Sequence, residues 1–121
     1  MPGILVIAPH ADDEVLGVGG TLARAAAEGI ETTVAVMTGH GEEPHPIWAP
    51  AAWDEVRAEC RTANLDVLGV SRLTFRDDLP AALLDSTPGY LMHRAVADIV
   101  AEVQPEEVYI PFAHDLQRDH Q

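Results

Sequence analysis

The sequence predicts an α/β fold, a Rossmann-like three-layer sandwich with a mostly parallel sheet. Short aliphatic or β-branched runs, each closed by Gly, Pro or polar residues, alternate with longer segments of helical spacing. Strands that alternate with helices are joined by crossover connections, which make their sheet parallel. The 121 residues are enough for one domain with a modest core, so we treat residues 1–121 as a single domain.

The first βαβ unit is the clearest part of the pattern. Residues 4–8 form a continuous aliphatic run that ends at Pro9, as is typical of a buried parallel strand. From Glu14 onwards the apolar residues follow helical spacing, and Gly29 provides a C-terminal stop. Residues 31–38, rich in β-branched side chains, predict the second strand.

The rest of the chain continues the alternation. In order, the pattern predicts a loop over 39–50, a helix over about 51–66, a strand over 72–76, an irregular segment over 77–87, a helix between Pro88 and Pro105, and a strand over 107–111. The helix over 51–66 is expected to turn its apolar side inward, with Trp53, Val56, Cys60 and Ala63. Because no helix follows to cover the last strand, we expect the sequence to be truncated at its C-terminus.

Composition and charge exclude several classes of partner. Seven basic and twenty acidic residues give a net charge of −13, which repels nucleic acid and anionic membranes. No apolar run is long enough for a membrane span, and the N-terminal run lacks the length and basic flank of a signal peptide, so we expect a cytoplasmic protein. Cys60 is the only cysteine, which rules out an internal disulfide and a Cys-based zinc site, and we expect it in the core.

Two polar clusters follow predicted strands, at residues 10–14 (HADDE) and at residues 114–120 (HDLQRDH). In open parallel sheets, ligands bind outside the carboxyl ends of the strands, so neighbouring strands would bring both clusters to one crevice. Imidazole nitrogens and carboxylate oxygens without thiolates suit a catalytic metal with open positions. His10 and Asp13 can point at one place around the strand-to-helix turn, and His120 would complete the set.

Two other interpretations of the first cluster compete with a metal site. Asp12, Asp13 and Glu14 could simply cap the helix and complement its dipole, but His10 and a second Asp-His pair after another strand favour a site. The glycines that follow could suggest dinucleotide binding. They fall inside the helix, however, and not between strand and helix, so we interpret Gly17, Gly19 and Gly20 as close packing of helix on sheet.

Residues 4–21 resemble the opening signature of the LmbE-like family, also described as GlcNAc-phosphatidylinositol de-N-acetylase-like (PIG-L). That signature reads (A/P)-H-(P/A)-D-D-E, followed by a helical G-G-T segment, and both parts are present. The family's later Asp-His pair is matched by Asp119 and His120, and residues 38–39 and 68–70 also fit. The resemblance spans the whole chain, and family members are usually considerably longer.

The resemblance implies a metal-dependent hydrolase that deacetylates an N-acetylated amino sugar or glycoconjugate as its small-molecule partner. It assigns metal ligation to His10, Asp13 and His120, with Zn²⁺ as the expected cofactor and Fe²⁺ as the alternative. Asp12 matches the general base that takes a proton from the attacking water, and Asp119 matches the carboxylate that orients or tunes the site. A homo-oligomer is compatible with the resemblance.

Gln117 is a departure from the family pattern. Sugar deacetylases of this type carry a histidine three residues before the last ligand, where it stabilises the oxyanion. An amide can donate a hydrogen bond but cannot become cationic or shuttle a proton. His114 and His40 are the local candidates for a replacement, although each is more simply interpreted as a loop histidine. The residue that donates a proton to the departing amine is therefore not assigned.

Several further residues have structural interpretations at this point. Arg57 is read as part of a solvated helix face, Asp77 as a turn residue, and His45 and His93 as structural or exposed. Three alternatives to a sugar deacetylase stay open: a thiol-conjugate amidase of the same family, a non-catalytic metal- or sugar-binding module, and a nucleotide-binding Rossmann protein.

Overall fold

Four strands form one parallel sheet in the computed structural model, which describes residues 3–41 and 45–121. They are β1 (Ile4–Ala8), β2 (Thr32–Val36), β3 (Arg72–Phe75) and β4 (Glu107–Tyr109), in the order β3-β2-β1-β4. Every pairing is parallel, which confirms the predicted α/β fold. Residues 42–44 of the predicted loop lie outside the described residues.

Three α-helices connect the strands: α1 (Asp13–Ala27), α2 (Pro50–Arg61) and α3 (Gly89–Val103). Helix α2 continues into a wider π-helical segment, Thr62–Val67, so the predicted helix over 51–66 has the right extent but changes its hydrogen bonding. Pro88 is the N-cap of α3 and not a first-turn residue. Short 3-10 turns lie at Leu84–Ser86, before α3, and at Arg118–His120, after β4. No helix in the described part of the chain is long and apolar enough to cross a membrane.

The helices cover both faces of the sheet, which confirms the three-layer arrangement. On one face, strand residues such as Val6 and Val34 pack with Leu22 of α1 and Cys60 of α2. On the other face, strand residues including Leu5 and Ala35 pack with Ala95 and Ile99 of α3. Parallel strands buried on both sides are continuously hydrophobic, which explains the uninterrupted aliphatic run of β1.

Helix α2 lies on the sheet only through its C-terminal part. Cys60 is in the core, as predicted, but Val56 is 37% exposed, and with Trp53 it lines a cavity instead of the core. The inward assignment of Val56 was therefore wrong. The N-terminal part of α2 stands away from the sheet and forms one wall of this cavity.

The glycines of α1 differ from one another. Gly19 is buried, but an added side-chain carbon would meet Leu68 at 3.9 Å, an ordinary van der Waals distance, so packing there does not require glycine. Gly17 and Gly20 are exposed, with nothing within 4 Å of an added side-chain carbon. For these two, the packing interpretation was wrong.

Candidate metal centre

The neighbouring strands β1 and β4 bring the two polar clusters together. Their register pairs Val6 with Tyr109, so the segments that follow both strands meet at the same edge of the sheet. The turn after β1 is closed by Asp13, because its Oδ2 accepts a hydrogen bond from the backbone N–H of His10 at 2.8 Å. This local bond orients the Asp13 carboxylate back over the turn, towards the segment that follows β4.

Three of the predicted residues converge there. One ligand atom each from His10, Asp13 and His120 lies within 4.8 Å of the others. His120 Nε2 is 3.2 Å from Asp13 Oδ2 and 3.4 Å from His10 Nδ1, and the His10 Nδ1 to Asp13 Oδ2 distance is 3.5 Å. Two imidazole nitrogens and one carboxylate oxygen can hold a divalent cation such as zinc and leave a coordination position open.

The second nitrogen of His10 is held by Asp119. His10 Nε2 lies 2.7 Å from Asp119 Oδ2, and the Asp119 side chain is fully buried. The same carboxylate accepts hydrogen bonds from the backbone N–H groups of Ala82 and Leu84. Asp119 therefore lies behind His10 and holds the ring, and its role in orienting or tuning a metal site stays a prediction.

His120 has an equivalent partner that the sequence did not indicate. Its Nδ1 is 3.1 Å from Asp115 Oδ2, and the other Asp115 oxygen accepts from the backbone N–H of Gln117 at 2.9 Å. Each histidine thus has a carboxylate behind it, which is the usual support of metal-binding imidazoles. The only signal for Asp115 was its place in the same polar segment as His120.

Electrostatics at the centre reflect this crowding of carboxylates. The hydrogen bond to Asp13, and then that to Asp119, raise the pKa of His10 above its usual value, although burial opposes the shift. Burial works against ionisation of Asp13, but hydrogen bonds from His10 hold the pKa of Asp13 below its usual range. The metal-free centre therefore favours a proton on His10, which a cation would have to displace.

Only the dipole part of the capping interpretation fits the acidic motif, because Asp13 and Glu14 lie in the first turn of α1. Asp12 is the N-cap of α1 but makes no side-chain capping bond. Glu14 is only 1% exposed, and its Oε1 accepts a hydrogen bond from Asn64 Nδ2 at 2.9 Å. Glu14 therefore joins α1 to the π-helical segment after α2, a role that the sequence did not show.

Asp12 and Gln117 border a cavity of about 470 Å³ beside His10. Asp12 is exposed to this space. The Gln117 side-chain oxygen accepts from the backbone N–H of Asp119 at 2.6 Å, so its NH₂ group is the part left to donate. The cavity therefore offers a carboxylate and an amide donor next to the candidate ligands.

The proposed replacements for the missing histidine are elsewhere. His114 is exposed and packs against Phe112, with ring centroids 5.4 Å apart, and His40 is exposed at the rim of another cavity. Arg57, assigned to a solvated face, instead pairs with Asp77 at 2.9 Å. That pair ties α2 to the loop after β3, so both residues have a structural contact that spacing alone did not predict.

Comparisons with known proteins show the family and the fold of this chain. The sequence model of the family described as PIG-L, GlcNAc-PI de-N-acetylase, matches residues 5–121. A search of curated proteins gives no match. Among solved structures, the conserved protein TT1542 from Thermus thermophilus is 31% identical with a TM-score of 0.76, and the alignment covers 99% of this chain and 50% of that one.

Two further similar structures are of proteins whose names state an activity. The A40926 pseudoaglycone deacetylase Dbv21 is 27% identical with a TM-score of 0.76, covering 98% of this chain and 54% of that one. GalB, a 4-carboxy-2-hydroxymuconate hydratase from Pseudomonas putida KT2440, is 28% identical with a TM-score of 0.74, covering 99% and 51%. The chain thus spans about half the length of these structures.

Proposed function

This chain belongs to the GlcNAc-PI de-N-acetylase (PIG-L) family, and on that basis we propose that it carries the metal centre of an N-deacetylase acting on an N-acetylated amino sugar or glycoconjugate. The observation that supports this most directly is the convergence of His10, Asp13 and His120 beside a cavity that contains Asp12. A hydrolase needs an open metal position and a free carboxylate at the same place.

The proposed ligands are His10 Nδ1, Asp13 Oδ2 and His120 Nε2, with zinc as the preferred ion. The donor set fits, because it combines two imidazoles and one carboxylate, and because each imidazole is backed by a carboxylate. Ferrous iron accepts the same type of donors and is the alternative ion. When bound, such a cation would polarise the acetyl carbonyl and make a water molecule more acidic.

The chain's own residues supply the proton transfers and part of the charge stabilisation. We assign to Asp12, which lines the cavity, the acceptance of a proton from the attacking water as the new C–O bond forms. We assign to the Gln117 NH₂ group a hydrogen bond to the tetrahedral oxyanion, because the Gln117 oxygen already accepts from the Asp119 backbone N–H. Because Gln117 cannot supply a proton, we assign to Asp12 the return of its proton to the amine as the C–N bond breaks. The products are an amine and acetate.

The replacement Asp12→Asn in the full-length protein tests this assignment. The variant should keep a stoichiometric metal content and lose about a hundredfold to ten-thousandfold in kcat, since an amide cannot accept the proton. Metal analysis and an acetate-release assay give the two readouts. Asp54→Asn, at an exposed position of α2, is the matched control and should behave like the parent protein. Undiminished hydrolysis by Asp12→Asn would rule out the base assignment.

A hydratase is the second candidate, because GalB is as similar to this chain as the deacetylase Dbv21 is. The GalB substrate, 4-carboxy-2-hydroxymuconate, carries several carboxylate groups. The cavity residues described here include Asp12 and Glu59 but neither Lys nor Arg, and this composition disfavours a polyanionic substrate. Parallel assays with N-acetylglucosamine and with an enol dicarboxylate would separate the two reactions.

A further inference from the structure

The cavity beside the metal centre has an aromatic corner formed by Trp48 and Trp53. Their ring centroids are 5.4 Å apart and the rings are almost perpendicular, at 85°. Both line the cavity, and Trp48 is 42% exposed, so its ring is available to a ligand. They are the only two tryptophans in the sequence.

His45 holds this corner in place. Its ring stacks on Trp48 at 4.9 Å, and its Nδ1 accepts from the backbone N–H groups of Ile47 and Trp48. The ring proton is therefore on Nε2, which donates to the carbonyl of Ala81 at 2.9 Å. The next residue, Ala82, donates its backbone N–H to Asp119, the carboxylate that holds His10. The aromatic corner and the metal centre are thus fixed to the same short loop.

The charged side chains that line the cavity are acidic. Asp12 and Glu59 border it, and within residues 3–41 and 45–121 no Lys or Arg does so. Arg57 and Arg61 of α2 each lie two positions from Glu59, but both guanidinium groups lie near the Phe75 ring, at 6.0 Å and 5.4 Å from its centroid. Arg57 also pairs with Asp77 at 2.9 Å. Indole faces attract cations and pack against neutral rings, whereas carboxylates attract cations and repel anions.

We propose that this cavity selects N-acetylated amines by charge: it rejects rings that carry a phosphate or carboxylate and prefers those that also carry an ammonium group. The proposal rests on the proposed deacetylase function. Glu59 is the specificity-determining residue, since it adds negative charge to the part of the cavity lining that α2 supplies. The ring of the substrate packs on Trp48 and Trp53.

Two matched pairs of ligands test the selection in the full-length metalloenzyme. The first pair is a diacetylated glucosamine disaccharide and its mono-acetylated form, which bears one free ammonium. The second pair is N-acetylglucosamine and its 6-phosphate. At low salt, kcat/KM should rise by about threefold to tenfold for the ammonium and fall by a similar factor for the phosphate, and both differences should shrink at high salt.

Glu59→Gln should remove most of the preference for the ammonium and leave the metal content unchanged. Glu106→Gln removes the same charge at an exposed position before β4 and should leave the preference intact. Equal kcat/KM within both pairs, or a preference that is the same in Glu59→Gln and the parent, would overturn the proposal.

Binding gives a readout that does not depend on catalysis. Because both tryptophans line the cavity, ligand binding should change the intrinsic fluorescence, and titrations should follow the same order of charge. If the ligands bind in the same order of affinity but none is hydrolysed, the proposed deacetylase function is disproved and the proposed charge selection stands. Hydrolysis without charge discrimination would retain the deacetylase and disprove the selection, and no fluorescence change with any ligand would also disprove it.

Discussion

The buried carboxylate of Asp119 lies 2.7 Å from His10 Nε2, although 109 positions separate the two residues. As an acceptor, it keeps a proton on Nε2 and leaves the Nδ1 lone pair facing Asp13 and His120. The backbone N–H groups of Ala82 and Leu84 also donate to this carboxylate and fix its position. Asp119 therefore determines which nitrogen of His10 is free to bind a cation.

Asp119→Asn is expected to weaken zinc binding by about tenfold to a hundredfold, because an amide holds the imidazole less strongly than a carboxylate does. Competition with a chromophoric chelator measures this directly. Asp66→Asn, at an exposed position, serves as the control. Thermal unfolding of the metal-free variant shows whether the loop at Ala82 has been disturbed. Unchanged zinc affinity would mean that Asp119 does not orient a ligand.

Zinc affinity should fall as the pH is lowered, and the fall should begin above the usual titration range of histidine. The pKa of His10 is raised above its ordinary value of 6.5 by Asp13 and Asp119, and His10 must be neutral to bind metal. The proton stabilises the metal-free fold fully below 6.5, and this contribution is lost as the pH rises through the raised value. The stability of the zinc-loaded protein should instead rise as the pH rises, because the proton no longer competes with the metal for His10.

Unfolding temperatures of both forms between about pH 5 and about pH 8 measure this pair of trends. In the His10→Ala variant, the proton-linked part of the metal-free stability should disappear and the zinc-loaded form should not exist. Parallel pH profiles for the two forms of the parent protein would contradict the assignment of His10 as a ligand.

Gln117 is predicted to contribute through its NH₂ group. Gln117→Glu keeps an oxygen that can accept from the Asp119 backbone N–H but has no donor, so kcat should fall by about a hundredfold to a thousandfold. Because the donor acts on the developing oxyanion, KM and metal content should change little. Gln117→His restores a donor and should recover much of the loss. A Gln117→Glu variant that loses only substrate affinity would show that Gln117 binds substrate instead.

The helices and strands were predictable where the signal is local. The aliphatic run of β1 and the helical spacing of α1 depend on neighbours in sequence, and the motif around His10 and Asp13 lies on one turn. The contact of Asp115 with His120, the pairing of Arg57 with Asp77 and the burial of Glu14 were not predictable. Each depends on how separate segments come together, and an exposed and a buried carboxylate look the same in a sequence.

Glu14 provides a test of that hidden contact. Glu14→Ala leaves the buried Asn64 side chain without this hydrogen bond and should cost about 1–3 kcal/mol of unfolding free energy. Glu14→Gln keeps an oxygen acceptor and should lose less. Glu55→Ala, at an exposed position of α2, is the control. Urea unfolding measures all three, and a Glu14→Ala variant as stable as Glu55→Ala would show that the contact contributes nothing.

Cys60 should be chemically inert in the folded protein. Burial, and then the nearby Glu14 carboxylate, raise the pKa of its thiol to about 12, and the residue is only 2% exposed. Because the thiolate is the reactive form, iodoacetamide at about pH 8 should modify Cys60 only after unfolding in urea. Since the folded pKa is above the ordinary 9.0, the stability gained from the neutral thiol should be lost as the pH rises beyond that value. Rapid alkylation of the native protein would mean that α2 separates from α1 in solution, and the cavity wall would then not be preformed.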